Sequence, residues 1–499
     1  WGFQLILPQY LLLDCQKMPA RHILAEPLLA PKKRAPLGPV FLLSFVNTVS
    51  KLASQTPALC LLFQDHAASS LDLASTTMAF GYLTALRSLV ELAATPVLAR
   101  WSDRTGRKLS LLLCCLGCCV ECFLLAISES LFVFSLVHIL GGLLASHNII
   151  EGSCIADACP RSMARAAAFE KLFLVLGAAI VAGPAIGGEL YFQRRAAPFA
   201  VASLLSGAAA LYVKVYLPEY LPETQQHHDA GLGWLPSMKA FGKLSWRDPR
   251  LRWYLAASAL SSTGISAFLS VRTLWARHYF EWDGRQIGRV VACYGVTVVA
   301  AQFILLPFLL WAMRGREVLL SQICLLTQAG RFAAYSLAPS GSWVLTILLL
   351  GTAGNCSVPV LQGLCSCCVL EEQHALLSGG ASTLNTAGQV LGALIGSQLF
   401  AASLRDELCH NVHLMFSAIC FTLAAACTML AKQADQQRSC HQTEASSWLQ
   451  YAEGMHGADP ALPAPTARGS MLNRQAWVKR RKSLHSNPPS PSRLSKVNR

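Results

Sequence analysis

Twelve stretches of this sequence, at about 38–63, 74–99, 109–128, 131–156, 171–191, 197–217, 253–273, 288–312, 318–338, 342–368, 377–403 and 410–431, are predominantly apolar for roughly 20 residues or more. A stretch of that length spans the ~30 Å of a bilayer's hydrocarbon as a helix, and only helices or closed barrels satisfy their backbone groups there. A soluble reading fails on charge: 14% of residues are charged and 53% hydrophobic, too few charges to clothe several water-facing domains. The sequence therefore predicts an all-α, multi-pass integral membrane protein. The longest polar interruption, 218–252, follows the sixth stretch and divides the membrane region into halves at 38–217 and 253–431.

The net charge of +14 does not point to nucleic acid, because the basic residues sit between apolar runs and in the tails, as membrane topology requires. Loops 2–3, 4–5, 6–7 and 8–9 with their helix ends carry fifteen Lys and Arg. The other side has seven: Arg194, Arg195, Arg272, Arg277, Arg285, Arg289 and Arg405. Both termini are thus expected in the cytosol, with 1–37 an N-terminal segment and 218–252 a cytosolic central loop. Residues 1–17 read as upstream of Met18, the first candidate initiator. The tail 432–499, with the run Lys479-Arg480-Arg481-Lys482 and several prolines and serines, is expected to be disordered and either solvated or drawn to an anionic leaflet. Most cysteines fall inside apolar runs, Cys114 to Cys122 most densely, and read as small packing residues with no metal site.

Between helices 2 and 3 stands Pro96-Val-Leu-Ala-Arg-Trp-Ser-Asp-Arg-Thr-Gly-Arg-Lys108. Asp103, Arg104, Gly106, Arg107 and Lys108 resemble the loop signature of the major facilitator superfamily, with Ala99 in place of the usual first glycine. Asp157 followed by Arg161 and Arg165 resembles the family's acidic-then-basic end of helix 4. Gly183-Pro184-Ala-Ile-Gly187-Gly188 resembles the helix-5 motif often associated with antiporters, although Ala179 stands where the longer pattern has glycine. Leu217-Pro-Glu-Tyr-Leu-Pro-Glu223 resembles the exit of helix 6 in the hippocampus-abundant-transcript-like subgroup, related to tetracycline/proton antiporters. The resemblance implies two six-helix bundles related by a pseudo-twofold axis along the membrane normal, and a gate on the cytoplasmic side built from Asp103, Gly106, Arg107, Asp157 and Arg165.

Charges inside membrane helices are costly and mark function. Asn47 and Lys51 share a polar stripe on helix 1, while Arg87 and Glu91, four apart on helix 2, can pair on one face. His147 and Glu151 are four apart on helix 4, and Asn355 lies in helix 10. The family resemblance implies that helices 1, 4, 7 and 10 line a central cavity, which favours Asn47, Lys51, His147, Glu151 and Asn355 and demotes Glu121 and Arg331. Either Glu91 beside Arg87, or Glu151 near Lys51, could exchange a proton with substrate occupancy; the alternative is a static pair that fixes helix register. There is no nucleotide-binding loop, metalloprotease pair or nucleophile elbow. The expected function is secondary transport of a small solute by alternating access, coupled to protons, with no enzymatic activity and no cofactor. A non-transporting membrane receptor or trafficking factor of the same fold is the rival.

Overall fold

The computed structural model describes residues 36–159, 162–221, 234–370, 373–405 and 410–456. The N-terminal segment to residue 35, Arg161, the loop 222–233 and the run Lys479–Lys482 lie outside the described residues. Helix α1 covers 38–67 in three pieces, Gly38–Ser54, a π turn Gln55–Leu59 and Cys60–Ala67. Thr56 breaks it, at φ −139° and ψ 114°, because the ring of Pro57 drives the preceding residue out of helical geometry. Helices α2 (Leu73–Thr105), α3 (Arg107–Ile127), α4 (Leu131–Ala158), α5 (Ser162–Gln193) and α6 (Ala197–Tyr216) complete a first bundle. The second contains α7 (Pro249–Phe280), α8 (Gly284–Ala312), α9 (Glu317–Ser336), α10 (Gly341–Ser366), α11 (His374–Leu404) and α12 (Val412–Ala434).

Each apolar stretch of the sequence overlaps one of these helices. Nine, among the described residues, could cross a membrane on length and composition alone. The other three, α1, α2 and α9, carry Lys51, Arg87 with Glu91, and Arg331. Side chains such as Phe132, Leu204, Ile304 and Leu350, each more than 70% exposed, give the bundles an apolar exterior suited to lipid.

Three boundaries differ from the sequence reading. α7 runs to Phe280, so Arg272 lies two turns inside a helix and not at its end. Within the central loop a helix, Trp234–Arg247, places Met238, Phe241 and Leu244 against Leu251, Tyr254 and Leu377; their i, i+3 spacing supplies an apolar face. The last helix continues as far as His456, since 432–453 contains neither proline nor glycine and is rich in tolerable helix formers. Residues 435–456 belong to a separate unit.

Glycines set the closest approaches. Gly388, Gly392 and Gly396 of α11 lie against the backbone of α7, where a Cβ on Gly392 would come within 2.2 Å of the Thr263 carbonyl oxygen. In α5, a Cβ on Gly187 would meet the Ala53 carbonyl at 2.2 Å and one on Gly188 the Gly284 carbonyl at 2.4 Å. α5 is therefore seated on α1 of its own bundle and on α8 of the other.

The ends of the molecule are not equivalent. The end carrying Gly106, hereafter the Gly106 end, has a separate apolar core in each bundle, one around Leu43, Leu111 and Ile155 and one around Phe241 and Leu251. At the far end a single core combines Leu61, Phe63 and Phe134 of the first bundle with Val271, Trp275 and Phe400 of the second. Polar contacts there also cross between bundles: Arg277 reaches Gln64 at 3.2 Å and Asp65 at 3.4 Å, and Arg285 reaches Glu189 at 2.6 Å. The molecule is closed at the far end.

Replacing Gly392 by valine should cost about 1–3 kcal/mol through forced separation of α7 and α11, read as a lower Tm of the purified protein. Gly379→Val, at a glycine with nothing within 4 Å of its Cβ position, should change Tm little. Equal losses in both variants would contradict the packing assignment.

Candidate functional site: buried polar clusters in the two bundles

In the first bundle two polar clusters lie inside apolar helices. The first joins α1 to α4: Asn47 Nδ2 donates to Glu151 Oε1 at 2.9 Å, and Cys115 Sγ of α3 approaches Asn47 Oδ1 at 3.6 Å. Glu151 is 1% exposed, and Asn47, Lys51 and His147 are also buried. Lys51 lies one helical turn along from Asn47, and no carboxylate among the described residues forms an ion pair with it. His147 Nε2 has no hydrogen-bond partner among the described residues. Lys51 and His147 line a shared pocket with Gln55, Arg87 and Glu121.

The second cluster corrects an expectation. Arg87 does not pair with Glu91; its guanidinium binds both carboxylate oxygens of Glu121 in α3 and the backbone carbonyl of His138 in α4. His138 Nδ1 lies 3.1 Å from Arg87 Nη1 and 3.2 Å from Glu121 Oε1. Glu91 is only half-buried. Spacing of four residues permits an intrahelical pair, but a deeper carboxylate and a carbonyl on adjacent helices offer Arg87 more partners. Glycine creates the room: a Cβ on Gly141 would lie 2.1 Å from the Glu121 carboxylate, and one on Gly142 2.9 Å from the Arg87 carbonyl. Glu121, set aside on family grounds, is thus buried and fully engaged. His138 was missed. Its signal was a lone imidazole in an apolar run just before Gly141-Gly142.

The second bundle repeats this plan with a changed charge. Arg331 of α9 donates from Nη1 to Asn355 Oδ1 at 3.0 Å, and Asn355 Nδ2 donates to Thr297 Oγ1 of α8 at 3.2 Å. Asn355 sits in a 3-10 segment, Gly351–Cys356, as Gly142–Leu144 interrupts α4. A Cβ on Gly351 would come within 2.7 Å of Arg331 Cδ. Arg331, also set aside on family grounds, is therefore a partner of the favoured Asn355.

At the Gly106 end the chain turns from α2 to α3 at Gly106, with φ +102°, a conformation glycine adopts without steric penalty. Arg107 bonds Asp103 at 2.5 Å, Asp157 of α4 at 2.9 Å and Ser102 at 3.2 Å. The carboxylate on the positive N-terminus of α3 is that of Glu219: it accepts from the backbone N–H of Arg107 at 2.8 Å and of Lys108 at 3.1 Å. The Pro-Glu-Tyr sequence after helix 6 had marked Glu219 without revealing this contact. Arg165 donates to the Cys159 carbonyl at 2.9 Å. Gly183, Pro184, Gly187 and Gly188 occupy the α1–α5–α8 interface described above.

Against known proteins, residues 40–393 match the family model described as Major Facilitator Superfamily. Tetracycline resistance protein, class D, of Salmonella ordonez is 26% identical, the alignment covering 72% of this chain and 89% of that protein. Multidrug resistance protein 2 of Bacillus subtilis (strain 168) is 24% identical over 73% of this chain and 88% of its own length. Among solved structures, the human organic anion transporter MFSD10 (TETRAN) superposes with a TM-score of 0.59 at 18% identity, covering 81% of this chain and all of that one.

Glu121→Gln leaves the Arg87 charge buried without its counter-ion and should destabilise the protein by ~3–5 kcal/mol. Arg87→Met combined with Glu121→Leu should recover most of that, because an apolar pair of similar volume removes both charges. Denaturation of the purified variants checks this; a double variant as unstable as the single one would contradict the assignment of Arg87 and Glu121 as a structural pair.

Proposed function

This chain belongs to the Major Facilitator Superfamily, and on that premise we propose that it is a proton-coupled secondary transporter moving a small solute by alternating access. The observation that supports proton coupling is the environment of Glu151. Its carboxyl group is buried and hydrogen-bonded to the neutral amide of Asn47, with the Lys51 ammonium one turn away along α1. An amide donor remains satisfied whether the group is a carboxylate or a neutral acid, since either offers an accepting oxygen. No arginine clamps this carboxyl, and Lys51 forms no ion pair among the described residues. Glu121, clamped by Arg87, lacks that freedom. Glu91 is the second candidate.

Alternating access is supported by the asymmetry of the two ends, the bundles sharing a core and ion pairs at one and keeping separate cores at the other. With the basic loops in the cytosol, this is an inward-facing arrangement. The Asp103, Arg107, Asp157 and Glu219 contacts then brace α2, α3 and α4 as one element, ready to meet the second bundle when the cytosolic side closes. A non-transporting receptor of the same fold has less use for a buried, loosely held carboxyl.

The relatives' names supply the first panel: tetracycline and a set of drugs, offered to the protein reconstituted in proteoliposomes carrying an internal pH dye. Once a solute is found, Glu151→Gln should abolish accumulation driven by a pH gradient while exchange of that solute across the membrane survives. Accumulation equal to the parent's in Glu151→Gln and in Glu91→Gln would overturn the assignment of coupling to these carboxyls.

A further inference from the structure

A pocket inside the second bundle, distinct from the Glu151 cluster, is walled by α7, α8, α9 and α10. Trp275, Trp282, Tyr294 and Tyr335 form much of its lining, with the guanidinium groups of Arg272 and Arg331 as its charged members. Among the described residues no aspartate or glutamate lines it.

Both arginines are poorly satisfied. Arg272 has no hydrogen-bond or ion-pair partner among the described residues, and its Nε is buried with none. Arg331 is 4% exposed; it donates from Nη1 to Asn355, but its Nε is likewise orphaned. Its guanidinium lies 5.7 Å from the Tyr294 ring centre and 5.4 Å from that of Phe332, contacts that favour a cation without neutralising it. Two like charges in one apolar pocket at membrane depth repel each other and carry a desolvation cost that no carboxylate among the described residues offsets. The Arg87–Glu121 cluster shows how the same fold settles such a charge when the counter-ion belongs to the chain.

We propose that this pocket is an anion-binding subsite, the arginines receiving the carboxylate or sulfonate of an organic anion whose aromatic or alkyl body lies against Trp275, Trp282 and Tyr335. A planar guanidinium matches the oxygens of such a group, and the largely aromatic walls favour an organic anion over a bare inorganic one. The inference names a substrate class for the transport reading and rests on it. It is drawn from these side chains; the likeness to the human organic anion transporter, at 18% identity, carries the fold alone.

Binding can be tested without transport. The full chain in detergent is titrated with 4-nitrobenzoate, 4-nitrobenzyl alcohol and 4-nitrobenzylammonium, following quenching of tryptophan fluorescence. The anion should bind at least about tenfold more tightly than the alcohol, the ammonium ion should bind weakest, and Arg272→Gln should remove the advantage of the anion while sparing the alcohol. Arg272 makes no bond among the described residues, so this variant is expected to fold; should it fail, the ranking of the three ligands on the parent protein decides. Equal affinity for anion and alcohol, or an anion preference untouched by Arg272→Gln, would overturn the proposal. Anion binding without any flux in proteoliposomes would leave the subsite standing and remove the transport reading.

Discussion

Arg87 reaches Glu121 and the carbonyl of His138 from a helix that also exposes Leu86, Leu89 and Val97, as a lipid-facing surface would. That contact states the constraint on which the remaining packing depends. In hydrocarbon a charge is tolerated only where a neighbouring helix can bring it a partner, so the neighbour must first come close. Gly141 and Gly142 allow this in the first bundle, and Gly351 allows it for Arg331 in the second. The pseudo-twofold relation is visible in this shared device: a charged residue on the third helix of each bundle seated against glycine in the fourth, which loosens into a 3-10 turn.

The same economy of backbone distance connects the bundles to each other. Gly187 and Gly188 are adjacent in α5 yet serve different partners, α1 and α8. A helix gripped on both sides by bare backbone can roll on one contact while holding the other, because no interdigitated side chains must be withdrawn. The far-end ion pairs, Asp65 with Arg277 and Glu189 with Arg285, are partly exposed and individually weak. They can open without the cost that attends the buried Arg87–Glu121 pair. The buried ion pair therefore lies within a bundle and the partly exposed ones between bundles, a distribution that suits rocking.

Length, helical class, the six-plus-six division and the family were legible because apolar run length and the Asp103–Lys108 signature are local properties. Asn47 with Glu151, and Asp157 with Arg107, were singled out by sequence and are brought together by the fold. Pairing within the second helix was misjudged because spacing along one helix is visible in sequence, whereas the approach of α3 and α4 behind Arg87 is not. Arg272 was misplaced for a simpler reason: the last two turns of α7 are amphipathic, and hydropathy ends the helix near residue 273 although the structure carries it to Phe280. The role of Glu219 required knowing that the chain returns from α6 to the N-terminus of α3.

The central claim is that the two ends of the molecule open in alternation about a proton-binding site. Double electron–electron resonance on the reconstituted protein measures this with two spin-label pairs, one at the far end on Leu71 and Glu281, the other at the Gly106 end on Thr105 and Arg314. Between pH 5 and pH 8 the two distance distributions should shift in opposite senses, and Glu151→Gln should hold both in one state. Distances that stay fixed across this range, or that lengthen and shorten together, would contradict the account.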